Sequence, residues 1–405
     1  MMEGTWFLAA TWLALALTAT LLATWLGIST ALSEIVVGTV AQLLIGAFIG
    51  SEALGVKAPW IGFLSGTGAI VLTFLAGAEL DPAVFRAKWK EAAAVGLVGF
   101  FAPFLGCAAV AHYVLGWASG PSWLAGVALS TTSVAVVYAV MLELGFNRTE
   151  YGKAILAACF VNDLATVLAL GLMFSPFTYK TLTFAGASTI AFFVLPWLVP
   201  KIFARFGGRP SEFEAKLLLV AMFGLGWLAL WAGSEPVLPA YMLGMVLAGS
   251  VGRDHALVRR LRTLTFGLLT PFYFIRAGSF VSVPALVSGA SVFLVLLAAK
   301  MVSKFIGVYP VTKVFASPPR ESMYTTLLMS TGLTFGSISA LFGLTHGIVT
   351  QEQYSYLIAA VIGSAVVPTL IANAFFLPRH LIDQDESQSA TQPATPSPMP
   401  TRRSP

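Results

Sequence analysis

The residue best placed to do chemistry is Asp163, in the middle of a long apolar run at FVNDL. An ionisable group deep in hydrocarbon is costly, which makes it a functional candidate by default. Burial disfavours an uncompensated charge there, so the carboxylate is set to hold a proton or a cation in turn. Asn162 precedes it and offers an amide without a titrating charge. Two polar clusters interrupt other apolar runs. One is Ser130, Thr131, Thr132 and Ser133; the other holds Ser330, Thr331, Gly332, Thr334, Gly336 and Ser337. Such residues bond to their own backbone and favour local unwinding, and the freed carbonyls and hydroxyls are the ligands a hard monovalent cation takes. The bland alternative is small-residue helix packing. Lys300 lies in the middle of a further apolar run, and Lys304 follows one turn later on the same face. A Lys300 to Asp163 ion pair would hold the empty site neutral, while Lys304, nearer the end of its run, either snorkels or joins the site. Arg276 and Glu79 read as structural. The four histidines form no ligand cluster, and no resident metal or cofactor is expected.

The surroundings of these residues follow from composition. Of 405 residues, 57% are hydrophobic and only 10% charged, against about 25% charged in soluble domains. The chain therefore reads as an all-α, polytopic membrane protein. At roughly 20 residues per crossing, thirteen spans are predicted, at about 5 to 27, 34 to 54, 60 to 80, 91 to 117, 121 to 144, 150 to 174, 181 to 205, 214 to 232, 236 to 251, 262 to 281, 284 to 315, 321 to 344 and 353 to 378. Most Lys and Arg fall on one side, among them Arg86, Lys88, Arg148, Lys201, Arg259, Arg260 and Arg320. The other side has only Lys57 and Lys180. By the positive-inside rule the N-terminus is outside and the C-terminus cytoplasmic. The basic charge therefore marks loops rather than a nucleic-acid surface. The first span lacks a signal peptide's basic start and cleavage site. Residues 379–405 are poor in core formers and read as a disordered cytoplasmic tail. There is no phosphate-cradling GxxxxGK[ST] loop, which disfavours ATP-driven transport, and no enzymatic step is called for.

A weak internal repeat runs through the chain. LIGAFIG at Leu44 is echoed by MLGMVLAG at Met242, GAELDPAVF at Gly77 by AGSFVSVPAL at Ala277, and the first polar cluster by the second. The shared offset of about two hundred residues carries more weight than any single match. Helices 1 to 6 would then repeat, upside down, as helices 8 to 13, with helix 7 linking them. In such inverted repeats the substrate binds near the midplane.

The segments STTSVAVVYAVMLELGFNRTEYGKAILAACFVNDLATVLAL (Ser130 to Leu170), AAKMVSKFIG (Ala298 to Gly307) and STGLTFGSISALFGL (Ser330 to Leu344) together resemble the monovalent cation:proton antiporter superfamily. The likeness is to bacterial sodium/proton antiporters and the membrane part of Kef-type potassium systems. It covers Trp6 to Pro378. The resemblance implies a transmembrane antiporter domain over 1–378 in the bacterial inner or plasma membrane, assembled as a homodimer. Dimerisation helices would lie at about 5–80 and 214–281, a moving core at about 91–174 and 284–378, and a linker helix at about 181–205. The core would carry two crossed, discontinuous helices. By motif, Asp163 becomes the ion-binding and proton-carrying carboxylate, Asn162 its partner, Thr131 and Thr132 the unwound segment, and Lys300 the intramembrane lysine. Ser133, Thr331, Thr334 and Lys304 are secondary candidates. Electrogenic members carry two adjacent aspartates where this chain has Asn162 and Asp163. The Asn-Asp form accompanies one-for-one exchange, but usually with arginine in place of the lysine. The expected activity is exchange of Na⁺ or K⁺ for H⁺. The alternatives are a sodium-coupled organic-anion symporter of related fold and a non-transporting sensor or channel subunit.

Overall fold

In a computed structural model the described residues are 2–378 apart from 27, 51, 79–81, 144–145, 147–148, 175–177, 209–210, 253 and 316. The tail over 379–405 and Glu79 therefore lie outside the described residues. All regular structure among those described is helical. α1 (Met2–Leu26), α2 (Thr30–Phe48), α3 (Pro59–Ala78) and α4 (Pro82–Ala109) are followed by the short α5 (Ser119–Ser130) and α6 (Val134–Glu143). Next come the long α7 (Glu150–Phe174), α8 (Tyr179–Phe206) and α9 (Phe213–Trp231). The helices α10 (Val237–Leu247), α11 (His255–Leu264), α12 (Thr270–Ser279) and α13 (Val283–Ser288) are shorter. The chain then continues through α14 (Ala290–Val314), α15 (Pro319–Met329), α16 (Thr334–Thr345) and α17 (Gln351–Ile371). Single π-helical turns extend α4 and α17 and join α11 to α12 at Thr265–Leu269.

Ten stretches of the described residues are long and apolar enough to cross a membrane. The expected spans at about 121 to 144, 236 to 251 and 262 to 281 are not among them. The first is divided between α5 and α6, the second is the short α10, and the third joins the end of the Arg-bearing α11 to the short α12. The span at about 284 to 315 divides at Gly289, where a Cβ would strike the ring of Tyr356.

Helix starts follow the usual chemistry. Ser29 accepts from the Leu32 amide at the start of α2, and Thr350 with Gln353 forms a reciprocal capping box on α17. In lipid, helices gain little from hydrophobic exclusion, so close approach at small residues holds them together. At the crossing of α2 with α12, a Cβ on Gly38 would meet the Ile275 carbonyl, and one on Gly278 the Ile35 carbonyl. The crossing of α3 with α10 repeats this pattern with Gly77 against Tyr241 and Gly244 against Phe74. α4 lies along α7, α14 and α5, and Gly96 brings it against the Ala158 carbonyl of α7.

Candidate ion site at two facing helix breaks

Each polar cluster ends a helix by the same means. The Ser130 hydroxyl donates to the Val127 carbonyl at 2.8 Å and Thr131 to Ala128 at 3.2 Å, while Ser330 donates to Thr326 and Thr331 to Leu328, both at 2.7 Å. Carbonyls of each helix's last turn are thus met by hydroxyls of the residues that stop the helix. Thr131 takes an extended conformation (ψ 151°), and Ser133 receives the Val136 amide at 3.4 Å as α6 begins. The sequence-expected unwinding is present at both places, and the middle of the stretch from α15 to α16 is almost wholly buried.

Asn162 staples the first break. Its Oδ1 accepts from the Thr132 amide at 2.9 Å, and its Nδ2 donates to the Ser130 carbonyl at 3.3 Å and the Gly96 carbonyl at 3.4 Å. Asn162, named from sequence as the partner of Asp163, thus bonds to the backbone of the first break. The second break has a counterpart in Ser364 of α17, whose hydroxyl lies 3.3 Å from the Gly332 carbonyl and 2.8 Å from that of Val361. Sequence reasoning missed Ser364. The offset of about two hundred residues from Asn162 was the signal that could have found it.

The lysines stand differently from the sequence expectation. Lys300 donates to the Ser364 hydroxyl at 3.0 Å, and no ion pair between it and Asp163 is formed among the described residues. The expected pair is corrected accordingly: the ammonium occupies the space beside Gly332, where a Cβ would collide with it, and serves the second break. Lys304 does not snorkel. It is 0% exposed and donates to the Thr132 hydroxyl at 3.0 Å, which in turn donates to the Met329 carbonyl at 2.8 Å. One lysine thus attends each break, and Thr132 ties the two breaks together.

Asp163 is 1% exposed, and its Oδ1 has no hydrogen-bond partner. It borders a cavity of about 390 Å³ shared with Val134 and Tyr138 of α6, Thr334 and Phe335 of α16, and Arg262. Of the sequence-predicted residues, this cavity brings together Asp163 and Thr334. Thr131, Thr132, Ser133 and Thr331 are buried in the breaks themselves and do not line it. Among the described residues no group of three His, Cys, Asp or Glu side chains could hold a metal ion.

The model of the sodium/hydrogen exchanger transmembrane family matches residues 13–377. A probable Na⁺/H⁺ antiporter of Methanocaldococcus jannaschii is 23% identical, with 83% of this chain and 89% of that protein covered. The Na⁺/H⁺ antiporter of Enterococcus hirae is 25% identical over 83% of this chain and 91% of its own length. The Na⁺/H⁺-K⁺ antiporter GerN of Bacillus cereus is 23% identical, covering 82% and 89%. In fold, the chain is similar to the sodium proton antiporter MjNhaP1 of Methanocaldococcus jannaschii, with a TM-score of 0.70 at 16% identity over 92% of this chain and 96% of that one. With its family model matched across nearly the whole membrane region, the chain belongs to the sodium/hydrogen exchanger family of integral-membrane monovalent cation:proton antiporters.

Proposed function

We propose that this protein exchanges Na⁺ or K⁺ for H⁺ by competition at the single carboxylate of Asp163. The observation that carries the reading is an almost fully buried carboxylate with one oxygen unpartnered, bordering a cavity between two helix breaks. A cation that binds Asp163 displaces its proton. The empty, charged site is poorly solvated and does not cross readily. Asn162, Lys300 and Lys304 hold the unwound segments in shape, and Asp163 alone changes its load. Relatives named as Na⁺/H⁺ and Na⁺/H⁺-K⁺ antiporters favour both ions and disfavour the symporter and sensor alternatives.

The architecture proposed for this exchange has thirteen spans in two inverted six-helix repeats joined by α8. Two observations support it. The glycine contacts of α2 with α12 and of α3 with α10 are mirror versions of each other, and Asn162 and Ser364 clamp the two breaks at corresponding positions. A core of α4 to α7 and α14 to α17 would move past a dimerisation scaffold of α1 to α3 and α9 to α12, carrying Asp163 across in elevator fashion. The Asp163 cavity opens beside Arg262, at the end that the positive charges assign to the cytoplasm. The N-terminus would then be outside and the C-terminus cytoplasmic.

The test is proton flux in proteoliposomes with an imposed pH gradient, adding Na⁺, K⁺ or Li⁺ in turn. Cation-selective dissipation of the gradient is expected in the wild type, and Asp163→Asn should fall to the level of empty liposomes while remaining dimeric and folded. Lowering the pH should raise the apparent KM for the cation and leave the maximal rate unchanged, as competition requires. Gradient dissipation that persists in Asp163→Asn would sink the reading.

A further inference from the structure

A second cavity, of about 450 Å³, lies between α3, α9, α12 and α16 and shares no wall residue with the Asp163 cavity. Its lining is mostly apolar. Phe63, Trp227 and Leu230 at its mouth are 66%, 66% and 61% exposed, so it opens sideways, in the direction of the bilayer for a membrane-embedded chain. Two charged residues line it, Arg276 from α12 and Glu235 from the turn before α10. Arg276 is positioned by donation from Nε to the Val56 carbonyl at 3.0 Å. No ion pair joins it to Glu235 or to another carboxylate among the described residues. On the α3 wall the backbone is bare, because a Cβ on Gly66 would meet nothing within 4 Å and one on Gly62 would come no nearer than 3.8 Å to Arg276.

An acid and a guanidinium left unpaired in one largely apolar cavity complement a molecule that carries both charges and an apolar tail. We infer that this cavity binds a zwitterionic glycerophospholipid, with the phosphate on Arg276, the ammonium on Glu235 and an acyl chain along Phe63, Trp227 and Leu230. The volume is in the range of small-molecule sites, roughly 300–1,000 Å³, and holds a headgroup with the start of a chain. The guanidinium supplies charge-assisted hydrogen bonds to the phosphate. Any effect of the lipid on turnover rests on the moving-core reading, because α16 would slide against the other three walls; binding itself does not.

The experiment uses delipidated full-length protein, native mass spectrometry and thermal shift, with phosphatidylethanolamine or phosphatidylglycerol as the probe. Wild type should retain phosphatidylethanolamine and be stabilised by it in preference to phosphatidylglycerol. Gly66→Leu, which fills the empty space, should abolish retention. Glu235→Gln should weaken phosphatidylethanolamine binding about tenfold or more and leave phosphatidylglycerol binding unchanged. Three results would each overturn the proposal: equal retention by Gly66→Leu, equal stabilisation by both lipids, or intermolecular cross-links through Trp227→Cys that place a second copy of the chain over the mouth. Since none of these readouts measures exchange, failure of the lipid site and failure of the antiport reading are separable.

Discussion

At the scale of the residue, the division of labour around Asp163 is set by hydrogen bonds already spent. Asn162 accepts once through its oxygen and donates twice through its nitrogen, all to backbone groups, so it maintains the break. Replacing it with Ala strands the buried Thr132 amide, and a buried unsatisfied polar group costs about 1–3 kcal/mol. Asn162→Ala should therefore lower the melting temperature in detergent, a loss that Asp163→Asn, whose Oδ1 has no partner to lose, should not reproduce. Gly332→Ala should impair transport more than its size suggests, because the added methyl displaces the Lys300 ammonium from the second break; flux assays beside a Lys300→Met control test this. The burial of Asp163, Lys300 and the hydroxyl clusters was legible in the sequence, since each is a costly residue in an apolar run. Their pairing was not. Lys300 and Lys304 sit one turn apart and face different partners, and only the packing of α14 against α5 and α17 decides which lysine meets which break.

At the scale of the element, the two discontinuous helices were visible from Ser130 to Ser133 and from Ser330 to Ser337, because hydroxyl residues compete with their own helix wherever they cluster. The short spans were harder to read. α10 occupies an apolar stretch already short for a crossing, and its regular part is only 11 residues. At the division, Gly289 packs against the ring of Tyr356, which is remote in sequence. The close crossings were likewise invisible, since a chain with 37 glycines gives no sign of which ones touch a neighbouring backbone. Gly278 is one that does, with Thr39 donating to its carbonyl at 3.0 Å. Gly278→Ala forces α12 away from Ile35 and should destabilise the protein by about 1–3 kcal/mol. Gly66→Ala, with open space around it, should be near neutral in the same thermal melt.

At the scale of the whole molecule, the groups proposed to move past each other are joined by buried tyrosines. Tyr354 of α17 donates to the Ala277 carbonyl of α12 at 2.6 Å, and Tyr241 of α10 donates to the Phe160 carbonyl of α7 at 3.0 Å. Both bonds link core to scaffold, so any sliding has to break them. A hydrogen bond of this kind is worth about 1 kcal/mol net. Tyr354→Phe should accordingly shift the balance between the two orientations roughly fivefold away from the one described, read as a changed distance distribution between spin labels on α9 and α16; an unchanged distribution would count against a moving core. The amide at Asn162, where a second carboxylate would titrate, also has a consequence for bioenergetics under the exchange proposed above. With Asp163 alone trading loads, each cycle would return the same net charge across the bilayer, provided the buried lysines keep their protonation. Voltage would then supply no driving force, and exchange would stall when the cation ratio across the membrane equals the proton ratio. Such a protein converts an acid or alkaline imbalance into a salt imbalance of the same ratio, even in a cell whose membrane is fully depolarised.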